Sequence, residues 1–282
     1  GSRGVRVDNG AGTTEILDNL ISGNGSDGVS FEASTGSPKV QGNTIGLDAA
    51  GNPLPNAQSG LAIAAGSTGV LVGGGSVPNT IAGNANYGVY IADAGTSANT
   101  VQGNLIGGSG GRGNVLAGVI LRNGAHDNLV DANTIVGQAA APGVEIAGAS
   151  TRLNSVRGNR IGIDATEAVV ANQVGVWLGE GAHDNAIGSG GRNTISGNTG
   201  AGVLLSGAGS FNTVEGNYIG LTGGGSGDRG NGGDGVRIEA GSSNTAIRDN
   251  TIAGNVGAGI QVRDAATVET TIVRNRIGIN AA

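Results

Sequence analysis

A short phrase, Gly-[Val/Ile/Leu]-x followed by an apolar residue, occurs ten times along the 282 residues of this chain. The ten copies begin at Gly4, Gly28, Gly60, Gly88, Gly118, Gly143, Gly175, Gly202, Gly235 and Gly259. The spacing between consecutive copies ranges from 24 to 33 residues. Such even spacing is typical of a solenoid, a propeller or another repeat array, so the chain is one structural unit repeated.

Within one repeat, residues 88–117, three short segments alternate apolar and other residues with a period of two: 89–91, 100–102 and 105–106. This alternation predicts three short β-strands, and frequent glycine disfavours helix. Parallel α/β folds need crossover helices, and propeller blades need about four antiparallel strands, and neither fits here. The sequence therefore predicts an all-β, single-stranded parallel β-helix of about ten rungs, with three strands in each and a length of about 48 Å.

The third strand of every rung carries the phrase Asn-x-Ile, whose variable middle residue is mostly polar and whose Ile is expected to point inward. Stacked asparagines can bond to the rungs above and below, which predicts a structural ladder. Its members are Asn19, Asn43, Asn79, Asn104, Asn133, Asn159, Asn193, Asn217, Asn250 and Asn275. A second, shorter ladder is predicted at Asn99, Asn128, Asn154, Asn185 and Asn212.

Composition excludes several classes of function. The chain has no cysteine, which removes disulfides, thiolate metal sites and cysteine nucleophiles. A net charge of −6 argues against a nucleic-acid partner. No apolar run approaches the roughly 20 residues of a membrane span.

Gly1 and Ser2 are typical of a cleaved-tag remnant, and residues 1–3 are predicted to be such a remnant or the N-terminal edge of the domain. Residues 4–282 are predicted to form one continuous domain, expected to be a fragment of a longer protein. Without capping helices, the sheet edges at both ends favour either continuation of the chain or end-to-end association.

The phrases GVYI and NTVQGNLIG, with the loops IGLDAAGN and IGIDATEA, resemble right-handed parallel β-helix repeats of large bacterial surface and secreted proteins. The resemblance covers residues 4–279 and implies the pectate-lyase-like superfold. That superfold includes polysaccharide lyases, hydrolases, epimerases, tailspikes and adhesin stalks, so it does not define an activity. The resemblance implies that a glycan would lie on the outer face of the first strand stack.

That outer face is given by the third residue of each phrase, and its centre is unusually apolar. The central residues are Tyr90, Ile120, Glu145, Trp177 and Leu204. Flat aromatic faces in a row suit sugar rings or a partner protein, which makes these five the predicted ligand-binding residues. The alternative is that they only pack beneath loops or against one another.

Catalytic and metal candidates are sparse. Glu145 and Arg122 are the charged residues at the centre of the outer face, and no acidic cluster of a hydrolase accompanies them. Asp48 and Asp164, at matching points of two long loops, are weak candidates for a calcium site. His126 and His183, two rungs apart, are interpreted as turn residues. No other cofactor is predicted.

The sequence thus favours a non-enzymatic extracellular or cell-surface module of a bacterial protein, acting as a rigid stalk, an adhesion segment or a binding segment. Its partner would be a polysaccharide or another surface protein. The alternative is a carbohydrate-binding or polysaccharide-degrading β-helix, similar to a lyase or a glycoside hydrolase.

Overall fold

The computed structural model describes residues 1–9 and 12–279, which form thirty short strands in three parallel ten-stranded sheets. No helix occurs in these residues. Consecutive strands of the chain enter the first, second and third sheet in turn, so each rung contributes one strand to every sheet. The predicted parallel β-helix of ten rungs is confirmed. The sequence predicts a division into residues 1–3 and 4–282. Within it, residues 10–11 and 280–282 lie outside the described residues.

The first sheet holds the longest strands. They are β1 (Val5–Asp8), β4 (Val29–Glu32), β7 (Leu61–Ala64), β10 (Val89–Ala92), β13 (Val119–Arg122), β16 (Val144–Ala147), β19 (Val176–Gly179), β22 (Val203–Ser206), β25 (Val236–Glu239) and β28 (Ile260–Val262).

The second sheet is formed by β2 (Glu15–Leu17), β5 (Lys39–Gln41), β8 (Leu71–Gly73), β11 (Thr100–Gln102), β14 (Leu129–Asp131), β17 (Ser155–Arg157), β20 (Ala186–Ile187), β23 (Thr213–Glu215), β26 (Ala246–Arg248) and β29 (Thr271–Val273). The third sheet is formed by β3 (Leu20–Ile21), β6 (Thr44–Ile45), β9 (Thr80–Ile81), β12 (Leu105–Gly107), β15 (Thr134–Val136), β18 (Arg160–Ile161), β21 (Thr194–Ile195), β24 (Tyr218–Ile219), β27 (Thr251–Ile252) and β30 (Arg276–Ile277).

The interior is a single apolar column because every strand stacks in register on its equivalent. Val89 lies beside Val119, and Ile106 lies beside Ile135. Both positions are completely buried, as is Ile161 farther along the stack. The predicted inward direction of the Asn-x-Ile isoleucines is therefore confirmed.

The asparagine side chains between the second and third sheets form a continuous hydrogen-bonded row. Asn104 Nδ2 donates to Asn133 Oδ1 at 2.9 Å, and Asn133 Nδ2 donates to Asn159 Oδ1 at 3.0 Å. From the second rung onward, each amide also donates to a strand carbonyl of the preceding rung, such as Val101 O at 2.9 Å from Asn133. The shorter row has the same geometry, with Asn99 donating to Asn128 at 2.9 Å. The ladders satisfy the buried polar groups of the corners.

A third asparagine row lies between the third sheet and the first, beyond the two rows that the sequence predicts. Asn56 Nδ2 donates to Asn84 Oδ1, and Asn84 Nδ2 donates to Asn114 Oδ1, both at 2.9 Å. Gln138 takes the next place, and its buried Oε1 accepts no hydrogen bond within the described residues. The row resumes at Asn172, which donates to Asn198 at 3.1 Å.

Candidate functional site

The outer face of the first sheet presents the five predicted ligand-binding residues in one row. Strand register places Tyr90 beside Ile120, Glu145 beside Trp177, and Trp177 beside Leu204. Tyr90, Glu145, Trp177 and Leu204 are half-buried, whereas Ile120 is 0% exposed. Ile120 thus supports its neighbours and offers no surface to a ligand.

Trp177 lies against its own strand. A Cβ placed on Gly179 would collide with ring atoms of Trp177, so the indole covers the space that a larger side chain would fill. Three rungs separate Trp177 from Tyr90, a distance of about 14 Å along the helix axis. The half-buried indole therefore lies away from the concave part of the same face.

That concave part is a pocket of about 400 Å³ in the N-terminal half of the face. Its floor contains the outward-facing Ser30, Ala62 and Ala64, on neighbouring strands β4 and β7. Although they point outward, Ser30 is only 1% exposed and Ala62 only 8%. Small side chains in two successive rungs, with bulky side chains before and after them, create the depression.

One wall of the pocket is an ion-pair cluster. Glu32 accepts from Arg3 at 2.5 Å and from Arg6 at 2.7 Å. Asp27 Oδ1 accepts from the backbone amide of Ser59 at 3.0 Å, and its Oδ2 lies 3.6 Å from Arg3 Nε. Both carboxylates are therefore engaged by the protein itself.

The opposite wall is aromatic. The rings of Tyr87 and Tyr90 stack at 5.6 Å between centroids with an interplanar angle of 30°. Burial is the main cause that raises the pKa of the Tyr90 phenol, so the hydroxyl stays protonated and can donate. Tyr90 and Arg122 are the two predicted site residues that line this pocket.

Several polar groups of the pocket can still form hydrogen bonds, among them the buried Arg3 Nε. Ser30 Oγ is buried and makes no hydrogen bond within residues 1–9 and 12–279. Arg122 makes one hydrogen bond within the described residues, to Asn123 Oδ1 at 3.4 Å, and forms no ion pair with a carboxylate of that part of the chain. Buried polar groups without partners are uncommon and call for an explanation. A polar ligand in the pocket would supply the missing partners.

Glu145 does not line the pocket; it lies farther along the face, between Ile120 and Trp177. Burial is the main cause that raises its pKa, Glu180 adds to the rise, and Arg122 opposes it. The carboxyl thus holds its proton more tightly in the folded chain than in the unfolded one. No hydrogen bond joins it to Arg122 among the described residues, so the two catalytic candidates do not form a pair.

Replacing Glu145 with Gln is expected to raise the melting temperature at pH 7 and to leave it nearly unchanged near pH 4. A raised folded-state pKa means that stability is lost as pH rises from the unfolded pKa through the folded one, and glutamine cannot ionise. Thermal unfolding followed by circular dichroism at both pH values measures this difference. Glu180→Gln, on the exposed neighbour, is the control with no comparable gain. An equal gain at both pH values for Glu145→Gln would contradict the assignment.

The calcium candidates serve their own loops. Asp48 Oδ1 accepts from the amides of Ala50 at 2.9 Å and Asn52 at 2.8 Å, and hydrogen bonds from Asn52 are the main cause that lowers its pKa. Asp164 Oδ1 accepts in the same way from Thr166, whose side chain is the main cause that lowers the pKa of that carboxyl. No cluster of three metal-ligating side chains occurs in the described part of the chain.

His126 and His183 each bond to the following aspartate, with Nδ1 to Oδ2 distances of 2.6 Å. Arg152 stands between them in the stacked turns, so the two imidazoles are two rungs apart. Their position in the turns agrees with the sequence interpretation.

Residues 112–277 match the protein family described as the right handed beta helix region. The match covers more than half of the chain, which therefore belongs to that family. No curated protein sequence matches the chain. Among the described residues there is no helix of the length and apolar character that crossing a bilayer requires.

Solved structures with the same fold include three of clear interest. The A-module of a mannuronan C-5 epimerase from Azotobacter vinelandii superposes with a TM-score of 0.61 at 17% identity, over 97% of this chain and 79% of that one. A mutant of the periplasmic alginate epimerase AlgG gives 0.59 at 16%, over 97% and 79%. The Dettilon tailspike protein gives 0.55 at 15%, over 96% and 61%. These superpositions show a shared fold, and at such low sequence identity they show nothing beyond the fold.

Proposed function

We propose that this chain is a non-enzymatic carbohydrate-binding β-helix module that acts outside the cytoplasm. The observation that carries the proposal is the pocket on the outer face of the first sheet, where a tyrosine pair faces a fixed ion-pair cluster. Aromatic walls combined with a few placed polar groups are the usual composition of a sugar site. Solved structures with this fold include epimerases of alginate and mannuronan, which is consistent with a polysaccharide ligand.

Binding is favoured over glycoside hydrolysis by the state of the carboxylates. The usual hydrolysis of a glycosidic bond needs two carboxyl groups that can reach the reacting atoms. Glu32 and Asp27 are held by arginines and a backbone amide, and Glu145 lies outside the pocket. The ten-rung scaffold would then serve to present the pocket on a rigid surface.

Replacing Tyr90 with Ala is expected to weaken oligosaccharide binding at least tenfold, because loss of a central aromatic contact is expected to cost about 1.4 kcal/mol or more. The measurement is calorimetric titration with mannuronate, galacturonate and cello-oligosaccharide hexamers. Tyr218→Ala is the matched control, since this half-buried tyrosine lies on the third sheet under Arg192. Binding that is absent in the unaltered protein, or equal in both variants, would refute the proposed function.

A further inference from the structure

We propose that the pocket receives the terminal sugar of a glycan chain and not a segment from its interior; this rests on the proposed function. An internal segment of a glycan continues in both directions and needs an open path across the face. A terminal sugar has one free end, so the recess that binds it can be closed beyond that end. The distribution of bulky and small side chains along the first sheet provides such a recess.

The N-terminal side is closed by the ion-pair cluster. Arg6 on β1 and Glu32 on β4 meet across neighbouring strands at 2.7 Å, and Arg3 joins Glu32 from the edge of the sheet. Two cations share this one carboxylate, and Asp27 holds Arg3 from a second direction. This side of the recess is therefore formed by an ion-pair network whose side chains hold one another in place.

On the C-terminal side the pocket ends at Arg122 on β13, and the nearer edge is formed by Tyr90 on β10. Its ring is supported by Tyr87 on one side and by the fully buried Ile120 on the next strand. From the strand of Arg6 to the strand of Tyr90 the axial distance is about 14 Å, and the two sets of side chains occupy part of it. The remaining length is short for a polymer that enters and leaves along the axis.

The floor supplies the feature that a terminal ring can reach. Ser30 lines the bottom of the recess, and its Oγ is buried without a hydrogen-bond partner in the described residues, so the hydroxyl must rotate toward the recess to meet a ligand. A sugar in mid-chain, tethered at both linkages, would rest on the rim and leave this hydroxyl unsatisfied. A ring with one free end can enter far enough to bond to Ser30, while Arg122 contacts it at the mouth.

The test is a titration of the full chain with oligosaccharides of different length. Monomer, trimer and hexamer of mannuronate, galacturonate and cello-oligosaccharide are compared, together with hexamers blocked at the reducing or the non-reducing end. For the class that binds, we expect affinity to change less than about threefold from trimer to hexamer, and to fall at least tenfold when one particular end is blocked. Partial hydrolysis of the polymer at constant mass should increase binding in proportion to the number of chain ends.

Ser30→Ala tests the depth of entry with almost no change in volume. We expect at least a threefold loss of affinity for the trimer and an unchanged melting curve. An affinity that rises tenfold or more from trimer to hexamer, or indifference to both end blocks, would overturn the terminal-unit assignment while leaving the proposed function intact. Unaltered affinity in Ser30→Ala would also overturn it. Absence of binding by all three classes would instead count against the proposed function itself.

Discussion

Replacing Ile161 with Asp is expected to unfold the stack, with a loss of stability greater than about 4 kcal/mol. Ile161 is completely buried between Ile135 and Ile195 in the interior column of the third sheet. A carboxylate there would have neither water nor a cation nearby, and its protonated form would still be an unpaired polar group. In a solenoid the damage reaches both neighbouring rungs, because each rung is stabilised mainly by the surfaces of its neighbours.

Thr134→Asp is the matched control, since Thr134 occupies the outward position of the same sheet one rung earlier. The measurement is denaturant unfolding followed by circular dichroism. We expect Ile161→Asp to lose the native spectrum or to unfold at much lower denaturant, and Thr134→Asp to remain close to the unaltered protein. A cooperative transition at the original midpoint in Ile161→Asp would refute the inward assignment of this column.

The ten-rung fold could be predicted because its determinants are local and repeated. Each Gly-[Val/Ile/Leu]-x phrase marks a strand of the first sheet, and each Asn-x-Ile phrase marks a strand of the third. Residue type alone does not predict the backbone conformation at every corner. Leu153 and Phe211, for example, adopt left-handed φ angles of 56° and 62° at corners where glycine or asparagine is expected. The stacking of neighbouring turns imposes that geometry on residues whose own preference opposes it.

The third asparagine row is marked in the sequence by a regular spacing between an asparagine and the glycine that begins each repeat phrase. An asparagine stands four residues before the first glycine of most rungs, as Asn84 does before Gly88. The spacing changes to five at Gln138 and to three at Asn172, because the connecting loops differ in length, and this breaks the visible period. Rows of stacked side chains tolerate such changes as long as the corner itself is preserved.

The pocket was harder to predict, because it depends on side-chain volume compared between rungs. Apolar character alone singles out Tyr90 and Trp177 among the outward residues. The recess arises from the opposite property, the small size of Ser30 and Ala62, which are 32 residues apart. Its closure depends on Arg3, which lies before the first repeat phrase and reaches Glu32 across the chain.

Replacing Asn133 with Ala is expected to destabilise the protein by about 3 kcal/mol or more, because several buried groups lose their partners at once. Asn133 Oδ1 accepts from both the backbone and the side-chain amide of Asn104 at 2.9 Å. Its Nδ2 donates to Val101 O at 2.9 Å and to Asn159 Oδ1 at 3.0 Å. The side chain is 1% exposed, so water cannot easily replace these bonds.

Asn19→Ala, at the first rung of the same row, is the control that separates burial from the loss of an asparagine. Asn19 is exposed, and its amide donates only to Leu17 O and Asn43 Oδ1. Solvent can satisfy the groups that this substitution leaves, so we expect a loss below about 1 kcal/mol. Chemical denaturation of both variants measures the difference. If the two losses were equal, the row would contribute no more than isolated hydrogen bonds. A much larger loss at Asn133 would mean that the corner amides stabilise the stack as a unit, because each one satisfies backbone groups of the rungs on either side.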